Sequence, residues 1–122
     1  MKDNAKPAIS IDYKTKKRIR IHRVTLHLLN DPEWVQLLIN PNTRTIAVRR
    51  GNPADPLALR VFPMNGEKDS FEIRSVSLLK SLKLLFPEWE DGNSYRLLGK
   101  MDPDGGVAYF GLNDAVKEED DS

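Results

Sequence analysis

Residues 9–21 read ISIDYKTKKRIRI, and this stretch decides the fold. Apolar and polar residues alternate over Ile9–Tyr13 and again over Arg18–His22, which is the two-residue period of a strand with one buried face. The polar residues Lys14–Lys17 between them are typical of a turn. The sequence therefore predicts a β-hairpin with isoleucines on one face and cations on the other.

The segments after this hairpin predict a short helix and a second hairpin. Val24–Leu29 reads as a helix that ends before Pro32, because proline cannot continue a helix. Glu33–Ile39 and Arg44–Arg49 predict two strands joined by a turn over Asn40–Thr43. The first unit is thus strand, strand, helix, hairpin.

The second half predicts the same order of elements. Leu57–Phe62 and Phe71–Arg74 read as strands, and Ser75 is the expected N-cap of a helix through Phe86. The leucines of that helix fall at helical spacing and form one apolar face. The final expected hairpin consists of Tyr95–Met101 and Val107–Leu112.

The chain carries an internal repeat, which is a signal to be sought first because a missed repeat miscalls the fold. Both expected helices are followed by Pro-Glu-Trp, at residues 32–34 and 87–89, and then by a Leu-Leu pair in the next strand. Each half has too little apolar surface for a core of its own. We therefore predict one α+β domain over residues 1–116, in which two pseudo-symmetric β-β-α-β-β repeats share one core. The repeats cover about 8–50 and 57–112, and an acidic tail follows over 117–122.

The stretch over residues 9–21 resembles the opening of AbrB-like swapped-hairpin domains of the SpoVT-AbrB type. Those domains have a strand, an acidic residue, a basic turn, Arg-Ile-x-Ile, a short helix and a hairpin, and the MraZ-like regulators carry two of them per chain. The resemblance implies an oligomeric bacterial transcription regulator that contacts DNA through basic residues near the first hairpin. In this sequence Lys17 stands at the turn glycine, His22 stands at the proline before the helix, and Glu67-Lys68-Asp69 replaces the second basic turn.

A second layout divides the same elements differently. A strand-helix-strand-strand-strand (βαβββ) duplication resembles the halves of sliding clamps and of the TATA-binding protein, and residues 1–17 are then only a basic arm. Pairing of Ile9–Tyr13 with Arg18–His22 favours the swapped-hairpin layout, whereas an unpaired first strand favours the clamp-like one.

Charge is unevenly distributed along the chain. The first 60 residues hold 12 Lys and Arg against 5 Asp and Glu, and the remaining 62 hold 7 against 13, although the formal net charge is only +1. Basic clusters neutralise phosphates, and we predict that the protein binds double-stranded DNA, as a dimer. The predicted nucleic-acid-binding residues are Lys14, Lys16, Lys17, Arg18, Arg20, Arg23, Arg49 and Arg50. The alternative is a protein-interaction or structural assembly module. In that case these cations serve only to solubilise one face of a strand.

The sequence contains no pattern typical of an enzyme or a cofactor site. It has no cysteine, which excludes disulfides and thiol chemistry, and no Gly-x-Ser-x-Gly or phosphate-binding glycine loop. His22 and His27 lack metal-ligand spacing with an acid, and Asp102–Gly106 reads as a hairpin turn and not as a calcium loop. No apolar run reaches the roughly 20 residues of a membrane span, and the N-terminus lacks the apolar core of a signal peptide. We therefore predict a non-enzymatic, cytoplasmic protein without a cofactor, metal, membrane contact or small-molecule substrate.

Overall fold

The structure, a computed structural model, describes residues 5–61 and 70–118. This part of the chain forms two antiparallel sheets and two α-helices, which confirms the predicted α+β class. The helices are α1 (Arg23–Leu28) and α2 (Val76–Leu85). The strands are β1 (Ala8–Asp12), β2 (Arg18–His22), β3 (Trp34–Asn40), β4 (Thr45–Arg50), β5 (Leu59–Arg60), β6 (Ser70–Ile73), β7 (Ser94–Leu98), β8 (Lys100–Met101), β9 (Val107–Gly111) and β10 (Val116–Lys117).

The predicted first hairpin is confirmed. β1 and β2 pair antiparallel with Ile9 opposite Ile21 and Ile11 opposite Ile19, and all four isoleucines are fully buried. β1 also pairs along its whole length with β7. The first strand is therefore central in its sheet, whereas the clamp-like layout required it to be unpaired.

Within residues 5–61 and 70–118, the ten strands form two five-stranded sheets. Sheet 1 has the order β10-β7-β1-β2-β6, and sheet 2 has the order β5-β3-β4-β9-β8. The apolar faces of both sheets meet the two helices in a single core. Burying one aliphatic side chain of this kind stabilises the fold by roughly 1.5–3 kcal/mol. The largest fully buried side chains include Ile9, Ile11, Ile19, Ile21, Leu26, Leu29, Ile46, Leu82, Leu97, Phe110 and Leu112.

The predicted last hairpin is wrong over residues 95–98. The expected strand Tyr95–Met101 is divided at Gly99, so that β7 lies in sheet 1 and β8 lies in sheet 2. A Cβ atom at Gly99 would lie 2.1 Å from the Tyr109 carbonyl oxygen, so only glycine permits this close approach. β9 consequently pairs with the two residues of β8 on one side and with all but one residue of β4 on the other.

Two further strand boundaries differ from the prediction. Of the expected strand Leu57–Phe62, only Leu59–Arg60 is a strand, and Phe62 itself lies outside the described residues, as do the turn over 63–66 and the segment over 67–69. At the other end, β10 includes Lys117, and the Glu118 amide donates to the Ser94 carbonyl at 2.8 Å. The last strand thus reaches into the segment assigned to the acidic tail.

Polar contacts hold α1 to β1 and cap the start of α2. The Thr25 hydroxyl of α1 donates to the Ala8 carbonyl at 2.8 Å and accepts from the Ala8 amide at 2.7 Å. In α2, the Ser75 hydroxyl accepts from the Leu78 amide at 3.2 Å, as the predicted N-cap requires. Neither helix, nor any other in the described ranges, is long and apolar enough to span a bilayer.

An aromatic cluster closes the core beside the β1–β2 turn. The Trp89 ring stacks between Phe86 and Tyr95, with centroid distances of 4.8 Å and 5.0 Å. Tyr13 packs against Trp89 at 6.3 Å, and its hydroxyl donates to the Leu79 carbonyl of α2 at 2.9 Å. Burial, followed by the charge of Asp91, raises the pKa of the Tyr13 hydroxyl to about 12. This hydroxyl is therefore a hydrogen-bond donor throughout the physiological pH range.

Candidate nucleic-acid interface

The β1–β2 turn presents three exposed lysines, Lys14, Lys16 and Lys17. Asp12, at the end of β1, fixes the backbone of this turn. Its carboxylate accepts hydrogen bonds from the Lys14 amide at 2.7 Å and the Thr15 amide at 3.4 Å. The short acidic side chain at this position thus sets the path that the lysines follow.

The Asp12 carboxylate is also tied to the second half of the chain. The Ser94 hydroxyl of β7 donates to it at 2.9 Å, and its side chain is almost fully buried. Burial alone would raise the pKa of this carboxyl, but the hydrogen bonds from the Lys14 amide, the Ser94 hydroxyl and the following amides lower the pKa below its ordinary value. Asp12 is therefore ionised at neutral pH and holds the turn against β7.

Lys17 adopts a left-handed backbone conformation, with φ of 52°. This is the position at which the AbrB-like pattern has glycine. A residue with a Cβ atom loses roughly 1–2 kcal/mol in this conformation. The turn therefore has the geometry of a glycine-containing turn but carries a cation at the strained position.

Arg18 is committed to an ion pair within the protein. Its guanidinium contacts the Glu72 carboxylate of β6 and lies 3.8 Å from the Asp12 carboxylate. Glu72 also accepts from Arg74 at 3.1 Å. Burial would raise the pKa of the Glu72 carboxyl, but Arg74 and Arg18 lower it below its ordinary value. Arg18 thus neutralises the buried Asp12 and the exposed Glu72, and joins the two halves of the chain.

Arg20 and Arg23 continue the basic segment along β2 and into α1, and both are half-buried. Arg20 lies on the outer face of sheet 1, opposite Ser10 on one side and Glu72 on the other. Arg96 of β7 lies on the same face, on the far side of Ser10. The two arginines are therefore two strand spacings apart, about 10 Å between Cα atoms.

Arg49 and Arg50 lie in sheet 2 and have separate structural roles. The Arg49 guanidinium donates to the Gln36 side chain at 2.8 Å. The Arg50 guanidinium donates to the Leu29 carbonyl at 2.8 Å, which satisfies a carbonyl at the C-terminal end of α1. The structure therefore brings Lys14–Arg20 together on one hairpin and leaves these two arginines on another element.

The histidines have partners of their own. The His22 ring lies 2.8 Å from the Ser10 hydroxyl on the outer face of sheet 1, and the exposed His27 ring lies 2.7 Å from the Asp31 carboxylate. In the described ranges no three His, Asp or Glu side chains are grouped in a way that could hold a metal ion.

Comparison of the chain with protein-family models, with curated proteins and with solved structures found no match.

Proposed function

We propose that this protein is an internally duplicated module that binds the phosphate backbone of double-stranded DNA through its β1–β2 turn. The proposal rests on one observation, the cluster of exposed lysines on a turn whose backbone is fixed by Asp12. Phosphate contacts of this kind release counterions and supply most of the affinity for DNA of any sequence.

Two acids near the turn are already ion-paired with other cations, which leaves the charges of Lys16 and Lys17 available. Asp91 is ion-paired with Lys83, and Glu72 is ion-paired with Arg18 and Arg74. Over the two described ranges, no carboxylate lies within the 4.0 Å ion-pair distance of the ammonium groups of Lys16 or Lys17. These ammonium groups are therefore available to an external anion.

The shape of sheet 1 favours contact with phosphates over contact with base edges. Five strands spaced about 4.8 Å apart span about 19 Å, whereas the major groove of B-DNA is about 12 Å wide. The outer face of a five-stranded sheet is thus too wide to enter the groove, and only the turn at its end reaches the duplex. We therefore propose binding with little sequence preference.

The experiment is a fluorescence anisotropy titration of two unrelated labelled duplexes over a range of salt concentrations. Lys16→Ala removes one phosphate contact, so the slope of log affinity against log salt becomes shallower by about 0.9. The matched control is Arg60→Ala, which removes one exposed cation from β5 in sheet 2. Absence of binding to either duplex at low salt, or an equal effect of the two variants, would refute the proposal.

The strand pairing supports the duplication, because exchanging the two halves of the chain converts one observed pairing into another. If β1 corresponds to β5 and β3 to β7, the β1–β7 pairing maps onto the β5–β3 pairing. If β2 likewise corresponds to β6, the β2–β6 pairing maps onto itself. The pair Ile19–Ile73 is then exchanged with the pair Ile21–Phe71. Each sheet also contains strands from both halves. We propose on this basis two pseudo-symmetric repeats that share one core.

Self-association remains a prediction, and α2 offers a surface for it. Val76 is 67% exposed and Leu84 is 83% exposed, and both lie on the outward side of this helix, eight residues apart. Sedimentation of the purified chain over a range of concentrations measures whether it is a monomer or a dimer, and Leu84→Glu should favour the monomer.

A further inference from the structure

A cleft of about 860 Å³ lies beside the junction of β7 and β8, where the chain passes from one sheet to the other. It is lined by residues from β4, β7, β8, β9 and β10 together with Lys6, which precedes β1. Small-molecule sites in proteins have volumes of roughly 300–1,000 Å³. The size of this cleft is therefore that of a site for a small organic molecule.

Three apolar side chains that line the cleft, which we call its floor, are open to solvent. Leu98 is 52% exposed, Tyr109 is 43% exposed and Val116 is 65% exposed, and all three line the cleft. Apolar side chains gathered on a concave surface mark a place where a ligand is bound. The three side chains come from three strands of the two sheets, so their proximity is a product of the tertiary fold.

Four basic side chains also line the cleft, and we call them its rim. They are Lys6, Arg96, Lys100 and Lys117, and the described residues that line the cleft include two carboxylates, those of Asp114 and Glu118. Arginine binds carboxylate and phosphate oxygens through two parallel hydrogen bonds, and lysine adds a compact charge. The rim therefore favours an anionic group, while the floor favours an apolar one.

We infer that this cleft binds a small amphipathic anion, an organic molecule with an apolar body and one carboxylate, sulfonate or phosphate group. The apolar body packs on Leu98, Tyr109 and Val116, and the anionic group lies between Arg96 and Lys100. This site is distinct from the β1–β2 turn and does not depend on DNA binding.

Two fluorescent probes that differ in one group test the inference. 1-Anilinonaphthalene-8-sulfonate carries an anion on an aromatic body, and N-phenyl-1-naphthylamine has the same body without the anion. We expect the wild-type protein to bind the anionic probe at least about tenfold more tightly than the neutral probe, because charge-assisted hydrogen bonds supply at least that ratio. Equal affinity for the two probes would overturn the inference.

Variants of the rim and of the floor separate the two contributions. Arg96→Gln/Lys100→Gln should remove the preference for the anionic probe and leave affinity for the neutral probe unchanged, whereas Tyr109→Ser should weaken both. Arg60→Gln is the control outside the cleft. An unchanged affinity for the anionic probe in the rim variant, with circular dichroism showing a native fold, would refute the assignment.

Competition by simple anions tests the chemical class of the ligand. Octanoate and benzoate, which combine an apolar body with a carboxylate, should displace the anionic probe from the wild-type protein. Inorganic phosphate at the same concentration should displace much less. Equal displacement by phosphate would mean that the apolar floor contributes nothing, and the inference would fail.

Discussion

Asp12 should be a principal stabilising residue of the first hairpin, and replacing it tests how the turn is held. Its carboxylate accepts hydrogen bonds at 2.7 Å from the Lys14 amide and at 2.9 Å from the Ser94 hydroxyl, with only 8% of the residue exposed. A hydrogen bond to a charged group contributes roughly 1.5–3 kcal/mol net. We expect Asp12→Ala, which leaves these donors without their acceptor, to lower the free energy of unfolding by about 3 kcal/mol.

Asp12→Asn separates the charge from the shape of the side chain. The amide oxygen still accepts from the Lys14 amide, but the charge is lost, so we expect a smaller cost of about 1–2 kcal/mol near neutral pH. The pKa of Asp12 is lowered in the folded state. Its stabilising contribution is therefore fully present above the ordinary carboxyl pKa and is lost as the pH falls through the folded-state pKa.

Urea unfolding followed by tryptophan fluorescence, to which the buried Trp89 contributes, gives the free energies at several pH values. The difference between the wild type and Asp12→Asn should be largest near neutral pH and should shrink below about pH 4, where carboxyl groups protonate. Asp104→Asn, at an exposed turn position, is the control and should change stability by less than about 0.5 kcal/mol. A cost of Asp12→Asn that does not change with pH would refute the role given to the charge.

Three further substitutions have definite expected outcomes. Lys17→Gly should relieve the left-handed strain at φ of 52° and stabilise the protein by up to about 1 kcal/mol, which thermal unfolding measures. It should also make the slope of log DNA affinity against log salt shallower by about 0.9, which fluorescence anisotropy measures. Gly99→Ala places a Cβ atom 2.1 Å from the Tyr109 carbonyl oxygen and should cost about 3 kcal/mol or more, so a variant as stable as the wild type in urea would contradict the geometry. Tyr13→Phe removes the hydrogen bond to the Leu79 carbonyl and should cost about 1 kcal/mol. Because the pKa of Tyr13 is raised to about 12, this contribution is present below pH 10 and is lost between about pH 10 and 12, which unfolding at alkaline pH measures.

The local elements could be predicted from the sequence because their signals are local. Alternation over Ile9–Tyr13 and Arg18–His22 defines two half-buried strands, and the turn between them leaves only one simple pairing. Ser75 before an apolar helical stretch defines the start of α2, and the structure confirms the cap. These features are determined by a few neighbouring residues.

The pairing of distant strands could not be predicted in the same way. A period of two residues identifies the face of a strand but not its neighbour. Nothing in the sequence of Tyr95–Met101 indicates that β7 pairs with β1, more than 80 residues earlier, while β8 continues in the other sheet. Gly99 was the available signal, because an isolated glycine inside a strand pattern suggests a bulge or a close backbone approach.

The same difference between sequence neighbours and distant residues applies to the candidate site. Lys14, Lys16 and Lys17 are neighbours in the sequence and therefore also neighbours on the turn. Arg49 and Arg50 were joined to them only by the sign of their charge. The structure gives Arg49 a hydrogen-bond partner in sheet 2 and Arg50 a partner at the C-cap of α1. The cleft could not be predicted from the sequence, because its basic and apolar side chains come from separate segments of the chain.

Part of the uneven distribution of charge is explained by ion pairs between the two halves of the chain. Arg18 pairs with Glu72, and Arg44 lies 3.5 Å from Glu88, so cations of the first half neutralise acids of the second half. These arginines are thereby removed from the set available to an external anion.

This neutralisation changes the salt dependence that DNA binding should show. If all eight basic residues named from the sequence contacted phosphates, the slope of log affinity against log salt would be about −7. Arg49 and Arg50 donate hydrogen bonds within the protein, and Arg18, Arg20 and Arg23 are only partly exposed. Contacts from the three exposed lysines of the turn would by themselves give a slope of about −2.7. A slope near −7 would mean that the arginines leave their hydrogen bonds and ion pairs on binding. A slope near −2.7, made shallower by Lys16→Ala and unaffected by Arg60→Ala, is expected if the turn alone meets the duplex.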